Sequence, residues 1–227
     1  MKEAKEEKEI VSKEEKNEPK RGETLSGRKT WHNLSIISKA LQSVGIVRYR
    51  NDDQCGCHIS MNAIHFGYHP AMYELNESTP VEFVFLKGDT EIKIPCDWSR
   101  VAIESSDDVS VCLRFNCQSE LTKLGLVGLS VAHDVPVIGT QVFMMSRLHS
   151  AGREDHLGEG VVTAHGKEGK KGYPEFIQYD IPTVRGHCFS PICIYAGETI
   201  KVVAVHSAGD IPGKGKYNQG VSVANFQ

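Results

Sequence analysis

The sequence has no long apolar run, no dominant sign of charge and no cysteine set that can pair completely. No segment contains 18 consecutive apolar residues, so we expect no membrane span. The formal net charge of −3 argues against a dedicated nucleic-acid binder, which is usually strongly basic. Gly-x-Ser-x-Gly and Gly-Asp-Ser-Gly sequences are both absent, which disfavours a serine hydrolase. The 227 residues are nevertheless enough to build a substantial core.

The seven cysteines cannot all pair within one chain. Residues 1–29 are charged rather than apolar, so we expect no secretory signal and a reducing compartment. Cys55 and Cys57 form C-x-C, and no second closely spaced pair accompanies them and His58 to complete a zinc site. We therefore expect reduced cysteines, no metal and no organic cofactor.

The composition divides the chain into four parts. Residues 1–29 are dominated by Lys and Glu and predict a disordered tail. Residues 30–120 begin with an amphipathic helix, with apolar residues at 34, 37, 41 and 44, and continue as short β-type runs. Residues 121–134 predict a connection, and residues 135–227 predict a second β-rich unit. About eleven short runs separated by Gly and charged residues indicate an all-β sandwich or a pair of barrels.

Cys188 lies in the segment IPTVRGHCFSPICI, residues 181–194. A lone cysteine in an apolar run is usually a core residue. Here Gly186 permits unusual dihedral angles, and Pro191 ends the turn before a strand-like run. A Gly-x-Cys turn directs consecutive backbone amides to one side, as in an oxyanion hole. We therefore predict that Cys188 is a nucleophile displayed on a turn.

A cysteine nucleophile needs a base, and His65 is the predicted one among ten histidines. It follows the run CGCHISMNAI, residues 55–64, which predicts one strand, and it precedes an aromatic residue and a glycine. His58 lies within that run, and His69 precedes Pro70 in a turn, so both rank below His65.

The predicted acid is Asp108, at the start of an alternating run with Val109, Val111 and Leu113 on one face. A carboxylate in this role orients the imidazole and stabilises its protonated form. Asp107 and Glu104 are alternatives. The order histidine, acid, nucleophile on a β-rich chain is more specific than any one of its members.

The segments MNAIHF, DDVSVCLRF, YDIPTVRGHC and VAVHSAG, followed by GVSVANF, resemble one family. They are similar to the chymotrypsin-like 3C and 3C-like cysteine proteases of picornavirus-like positive-strand RNA viruses. The resemblance covers about residues 40–227. It implies a chymotrypsin-like two-β-barrel fold with a short N-terminal helix. It also implies a cysteine endopeptidase that processes a viral polyprotein after Gln, or Glu, in the cytoplasm of the infected host cell.

The resemblance also implies roles for individual residues. Thr183 and His206 would line the S1 pocket, where a hydroxyl and a neutral imidazole can donate to the side-chain carbonyl of glutamine. The backbone amides of Gly186 and Cys188 would form the oxyanion hole. Most members have glycine after the nucleophile, whereas this chain has Phe189. A bulky residue resists a positive φ, so we expect a re-shaped turn, a different hole or weakened activity.

A second interpretation is an RNA-binding or scaffolding β-domain of a viral polyprotein, with weak or no protease activity. The runs GKEGKK, residues 166–171, and GKGKY, residues 213–217, are small basic turns that can contact phosphates. Little aromatic interleaving accompanies them, so we favour solvated hairpin loops. The candidate partners are therefore polyprotein sites with Gln before the cleaved bond, then host proteins and viral RNA.

Overall fold

The structure is a computed structural model, and it describes residues 31–50, 52–72, 75–148, 154–169, 171–184, 186–209 and 218–226. The predicted tail of residues 1–29 and the basic turn of residues 213–217 lie outside the described residues.

The first half of the chain begins with helix α1, Trp31–Leu41. Seven strands follow it: β1 (Val44–Tyr49), β2 (Asp52–Ser60), β3 (Ala63–Tyr68), β4 (Val81–Lys87), β5 (Thr90–Pro95), β6 (Val101–Ser106) and β7 (Val111–Asn116). A short helix α2, Gln118–Leu124, comes next. The second half contains β8 (Ser130–Val131), β9 (Gln141–Leu148), β10 (Glu154–His165), β11 (Phe176–Tyr179), β12 (Pro191–Ala196), β13 (Thr199–Ala208) and β14 (Asn218–Ser222).

In the described part of the chain, these strands form two seven-stranded sheets. The first has the order β5-β4-β1-β2-β3-β7-β6. The second has the order β12-β9-β10-β11-β14-β13-β8, and the pairing of β12 with β13 closes it into a barrel. The described pairings between these strands are antiparallel apart from that of β8 with β13. The predicted all-β architecture with an N-terminal helix is confirmed.

Apolar side chains from both sheets pack into one shared cluster. Phe66, Phe83 and Phe115 come from the first sheet, and Val205 and Phe226 come from the second half of the chain. Helix α1 adds its apolar face to the same cluster through Ile37, Ala40 and Leu41. The described residues include no helix that is long and apolar enough to cross a membrane.

The predicted single strand of residues 55–64 is two strands in the structure. β2 ends at Ser60, and the chain reverses at Met61 and Asn62, whose φ angles are 49° and 60°. A two-residue hairpin loop of this kind requires positive φ at both of its central residues. β3 therefore continues to Tyr68. This extension moves the strand end towards His69, which changes where each histidine of the segment lies.

Candidate active site

The Cys188 turn connects β11 to β12 and is held by short backbone hydrogen bonds. The amide of His187 donates to Val184 O at 3.2 Å, and the amide of Ser190 donates to His187 O at 3.1 Å. The carbonyl of Cys188 accepts from the amide of Gly56 in β2 at 2.8 Å. The turn is thus fixed against the first sheet, while the thiol of Cys188 is only partly buried.

Gly186 and Cys188, the two predicted oxyanion donors, both lie in this turn. Gly186 has a φ of 100°, which its lack of a side chain permits. Within the described residues, neither amide donates to the backbone of another residue, and the Cys188 amide lies against its own thiol, whose pKa it lowers. Backbone donors beside a thiol can stabilise negative charge on a substrate oxygen.

Phe189 adopts a φ of 65°, so the turn keeps the left-handed backbone that glycine would favour. Its side chain is fully buried. The ring occupies space beside Gly67 in β3, where an added Cβ would overlap the Phe189 ring and the carbonyl oxygen of Val111. Left-handed backbone costs a non-glycine residue roughly 1–2 kcal/mol, and burying a Phe side chain contributes about 1.5–3 kcal/mol. Burial of the ring therefore offsets the strain.

The structure places His65 in the middle of β3, not after a strand end as the sequence predicted. Its ring stacks on His58 at a centroid distance of 5.2 Å and on Phe226 at 5.7 Å. Its Nε2 lies 3.3 Å from Ser60 O, and burial lowers its pKa to about 4. The described contacts of His65 do not include Cys188. The prediction missed the reversal at Met61 and Asn62, which begins a new strand before His65.

The structure instead brings His69 to the Cys188 turn. This histidine follows the end of β3 and is only partly buried. Its ring lies 5.3 Å from the ring of Phe189, the residue directly after Cys188. Its Nδ1 lies 2.8 Å from Val109 O. Two features of the sequence indicate that His69 follows a strand end. Asn62 is a common turn residue, and a His-Pro pair follows the strand.

Asp108, the predicted acid, lies in the turn between β6 and β7. It is exposed, and within the described residues it makes no hydrogen bond or ion pair. Asp107 accepts hydrogen bonds from the amides of Val109 and Ser110 at 2.8 and 2.7 Å. Glu104 forms an ion pair with Arg114 at 3.1 Å, and its side chain is 1% exposed. Of the three candidates, only Asp108 has an uncommitted carboxylate.

His206 is buried on β13, next to the Cys188 turn. The amide of Phe189 donates to His206 O at 2.7 Å, and the amide of His206 donates to Ser190 O at 2.9 Å. The hydroxyl of Tyr179 lies 2.7 Å from His206 Nδ1. Burial, together with the neighbouring His187 and His69, lowers the pKa of His206 to about 3, so the ring is neutral.

Tyr179 was not assigned a role from the sequence, although it lies in the quoted segment YDIPTVRGHC. Burial raises its pKa well above the ordinary value, so the phenol keeps its proton. A phenol that donates to Nδ1 leaves the imidazole proton on Nε2. With the phenol as the donor, this pair holds His206 in the tautomer that carries its proton on Nε2.

Thr183 is partly buried before the Cys188 turn. Its hydroxyl donates to Asn218 Oδ1 at 2.8 Å, and the side-chain amide of Asn218 donates to Ile181 O. The Thr183 proton is therefore engaged within the protein, and its oxygen remains an acceptor. The sequence had suggested a donor at this position.

His187 directly precedes the nucleophile but faces another histidine. Its ring lies 4.7 Å from that of His156, and its Nδ1 accepts from the amide of Val184 at 3.1 Å. Burial, together with the neighbouring His156, lowers its pKa to about 4. Burial also raises the pKa of Cys188, which favours a thiol over a thiolate in the resting site. His187 is therefore neutral, and its Nδ1 is already occupied by the Val184 amide.

The described basic residues of the first predicted RNA-binding turn contact other protein groups. Lys167 lies 3.4 Å from a carboxylate oxygen of Glu175. Lys171 donates to Phe226 O at 2.5 Å. The Glu175 carboxylate partly offsets the charge of Lys167, whereas the Phe226 carbonyl occupies one donor of Lys171. Across the described residues, no three His, Cys, Asp or Glu side chains are arranged to hold a metal ion.

Comparison with known proteins shows similarity of fold. No family model matches the chain, and no curated protein sequence matches it. Among solved structures, Deg5 aligns with a TM-score of 0.55 and 15% identity, over 85% of this chain and 88% of that chain. The Rv3671c protease of M. tuberculosis, in its inactive form, aligns with a TM-score of 0.53 and 13% identity, over 85% and 89% of the two chains.

The HtrA-type protease AlgW with a tripeptide has a TM-score of 0.56 and 13% identity. That alignment covers 83% of this chain and 59% of AlgW. Identities this low establish the fold alone. The two sheets and these similarities confirm the prediction that the chain has the chymotrypsin-like two-barrel fold, with a short helix before the first barrel.

Proposed function

We propose that this chain is a cysteine endopeptidase that cleaves a viral polyprotein after Gln, or Glu, through an acyl-enzyme. The observation that carries the proposal is the hydrogen-bonded unit of the Cys188 turn and His206. Phe189 and Ser190 each bond to the backbone of His206, so the nucleophile turn and a buried neutral imidazole are fixed together. A nucleophile and a specificity pocket need this fixed relation.

The proposed nucleophile is Cys188 and the proposed base is His69. Since burial raises the thiol pKa, the proton has to be removed as the reaction proceeds. His69 Nε2 takes the proton while the sulfur forms a bond to the scissile carbonyl carbon. The amides of Gly186 and Cys188 stabilise the resulting oxyanion. The protonated imidazole then donates its proton to the leaving amine as the peptide bond breaks, and water hydrolyses the thioester.

The proposed S1 pocket uses two groups with opposite hydrogen-bonding roles. His206, with its proton on Nε2, donates to the carbonyl oxygen of a glutamine side chain. Thr183, whose own proton binds Asn218, accepts from the glutamine amide. A pocket of one donor and one acceptor discriminates against apolar side chains, because its polar groups would lose their partners.

The substrate would lie extended along an edge strand of the second barrel and form backbone hydrogen bonds there. The polyprotein substrate and the cytoplasm of an infected cell come from the family resemblance. The proposed mechanism requires no cofactor, and host proteins and viral RNA remain secondary candidate partners.

The test compares the parent chain with Cys188→Ala, using Cys96→Ala as a matched control. Cys96 is a partly buried free thiol outside the nucleophile turn. Each protein receives a peptide with one Gln bond, and copies of that peptide with Glu or Leu replacing Gln. We expect cleavage after Gln by the parent and Cys96→Ala, and a loss of at least about 10³-fold in Cys188→Ala.

Two results would count against the proposal. Undiminished cleavage by Cys188→Ala would remove the nucleophile assignment. An inactive parent chain that nevertheless binds single-stranded RNA would favour the binding-domain interpretation.

A further inference from the structure

We propose that the peptide carbonyl of Val109 orients the His69 imidazole, and that Asp107 acts as a positioning residue for this carbonyl. The inference rests on the proposed function, because it assigns how the base of that site is held. It places no catalytic requirement on the carboxylate of Asp108.

The contact with Val109 determines which nitrogen of the His69 imidazole carries the proton. A carbonyl oxygen can only accept a hydrogen bond, so the 2.8 Å contact with Val109 O requires a proton on His69 Nδ1. The proton on Nδ1 leaves the lone pair on Nε2. A general base needs this tautomer to take a proton from a thiol.

Hydrogen bonds of Asp107 hold the Val109 carbonyl in place. One oxygen of Asp107 accepts from the amides of Val109 and Ser110 at 2.8 and 2.7 Å. The amide of Asp107 donates to Ser110 O at 3.0 Å. These three bonds close the turn around the Val109 peptide and fix the direction of its carbonyl.

Neither Asp108 nor Glu104 is suited to orient His69, and a second group packs against the His69 ring. Asp108 is exposed and, in the described structure, forms no hydrogen bond or ion pair. Glu104 is paired with Arg114. On the side of the nucleophile turn, the buried ring of Phe189 packs against His69 at 5.3 Å and 41°. One carbonyl and one aromatic ring therefore seat the imidazole.

A neutral carbonyl stabilises an imidazolium less than a carboxylate does, because charge-assisted hydrogen bonds are roughly twice as strong. Cysteine tolerates this difference better than serine, since a thiol is far more acidic than a hydroxyl and gives up its proton more readily. The arrangement is therefore chemically consistent with a cysteine nucleophile.

The test uses three variants of the full chain: Asp108→Asn, Asp107→Ala and Asp107→Asn. We expect kcat/KM of Asp108→Asn to stay within about threefold of the parent. Asp107→Ala should fall by about 10- to 100-fold, mainly in kcat, because the turn no longer holds the carbonyl. Asp107→Asn should recover to within about threefold, since its amide oxygen accepts the same two hydrogen bonds.

The second measurement is the His69 tautomer, read from imidazole nitrogen shifts by NMR. It is recorded in Cys188→Ala, alone and combined with each of the three substitutions, so it does not depend on turnover. We expect the Nδ1–H tautomer in Cys188→Ala alone and in the combinations with Asp108→Asn and Asp107→Asn. A mixed tautomer is expected with Asp107→Ala.

A fall of about 10²-fold or more in Asp108→Asn would overturn the proposal in favour of a carboxylate triad. Equal losses in Asp107→Asn and Asp107→Ala would also overturn it, because charge rather than turn geometry would then matter. An inactive parent with the expected tautomers would contradict the proposed function and leave the seating of His69 supported.

Discussion

In the second barrel, the Cys188 turn and His206 are joined by two backbone hydrogen bonds, and the hydroxyl of Tyr179 contacts Nδ1 of the His206 ring. In the first barrel, His69 follows a strand end and is seated by the carbonyl of Val109 and the ring of Phe189. The difference shows two ways of placing a functional imidazole. Burial fixes the charge state of His206, whereas the turn partners of His69 fix its orientation and leave it accessible.

The same distinction separates two histidines of β3 and its end. His65 is enclosed by rings on both sides and is 2% exposed, while His69 is partly exposed beside the nucleophile turn. A catalytic base has to gain and lose a proton, and deep burial without a charged partner opposes this. The comparison therefore favours His69 as the base and gives His65 a packing role.

The largest expected effect comes from substituting His69 and His65 one at a time. His69→Ala should lower kcat/KM for a Gln peptide by about 10³-fold, since general-base catalysis contributes about 10²–10⁴-fold. His65→Phe keeps a ring in the stack and should stay within about threefold of the parent. Circular dichroism controls for folding of both variants. An inactive His65→Phe alongside an active His69→Ala would reinstate His65.

A smaller effect is expected in the second barrel. His206→Ala should lower kcat/KM for the Gln peptide by about 10²-fold, because the pocket loses its donor and the glutamine carbonyl is left unpaired. Tyr179→Phe should cost about tenfold, because the tautomer is no longer held. Alkylation of Cys188 by iodoacetamide should be unchanged in both. Slower alkylation in both variants would show that they disturb the nucleophile rather than the pocket.

The smallest expected effect concerns stability at acidic pH. The pKa of His65 is lowered by burial to about 4, so the unfolded chain binds a proton near pH 6.5 and the folded chain does not. Its contribution to stability is present above about pH 6.5 and is lost as the pH falls towards 4. In urea unfolding at pH 7.5 and 5.5, His65→Phe should show about 1 kcal/mol less pH dependence than the parent. An unchanged dependence would contradict the neutral buried state.

The sequence alone brought together the candidate site residues that lie within one continuous segment. The Cys188 turn, Gly186 and Thr183 are consecutive or nearly so, and their spacing is visible without a fold. The positive φ at Phe189 was not predicted, because a bulky residue was expected to resist it and re-shape the turn. The alternation of apolar residues predicted most of the strands and an all-β sandwich or pair of barrels, and the family resemblance implied the two-barrel fold.

The parts that depend on a reversal or on a distant contact were not predicted. Met61 is an unusual residue for a left-handed turn position, so the hairpin was read as one strand and His65 was placed after a strand end, where the structure has His69. Tyr179 acquires its role only when β11 and β13 are brought together by β14. The contact between His69 and Val109 joins residues 40 positions apart, and no pattern in either segment announces it.

The packing of Phe189 against Gly67 limits which substitutions this chain tolerates at either position. A Cβ at position 67 meets both the ring and the backbone of Val111, so relieving the ring alone does not admit it. Conversely, glycine at position 189 would relax the backbone but leave a void beside His69. A substitution at either position alone is therefore destabilising. The two residues, one from each barrel, form an epistatic pair, and the acceptable residue at one depends on which residue occupies the other.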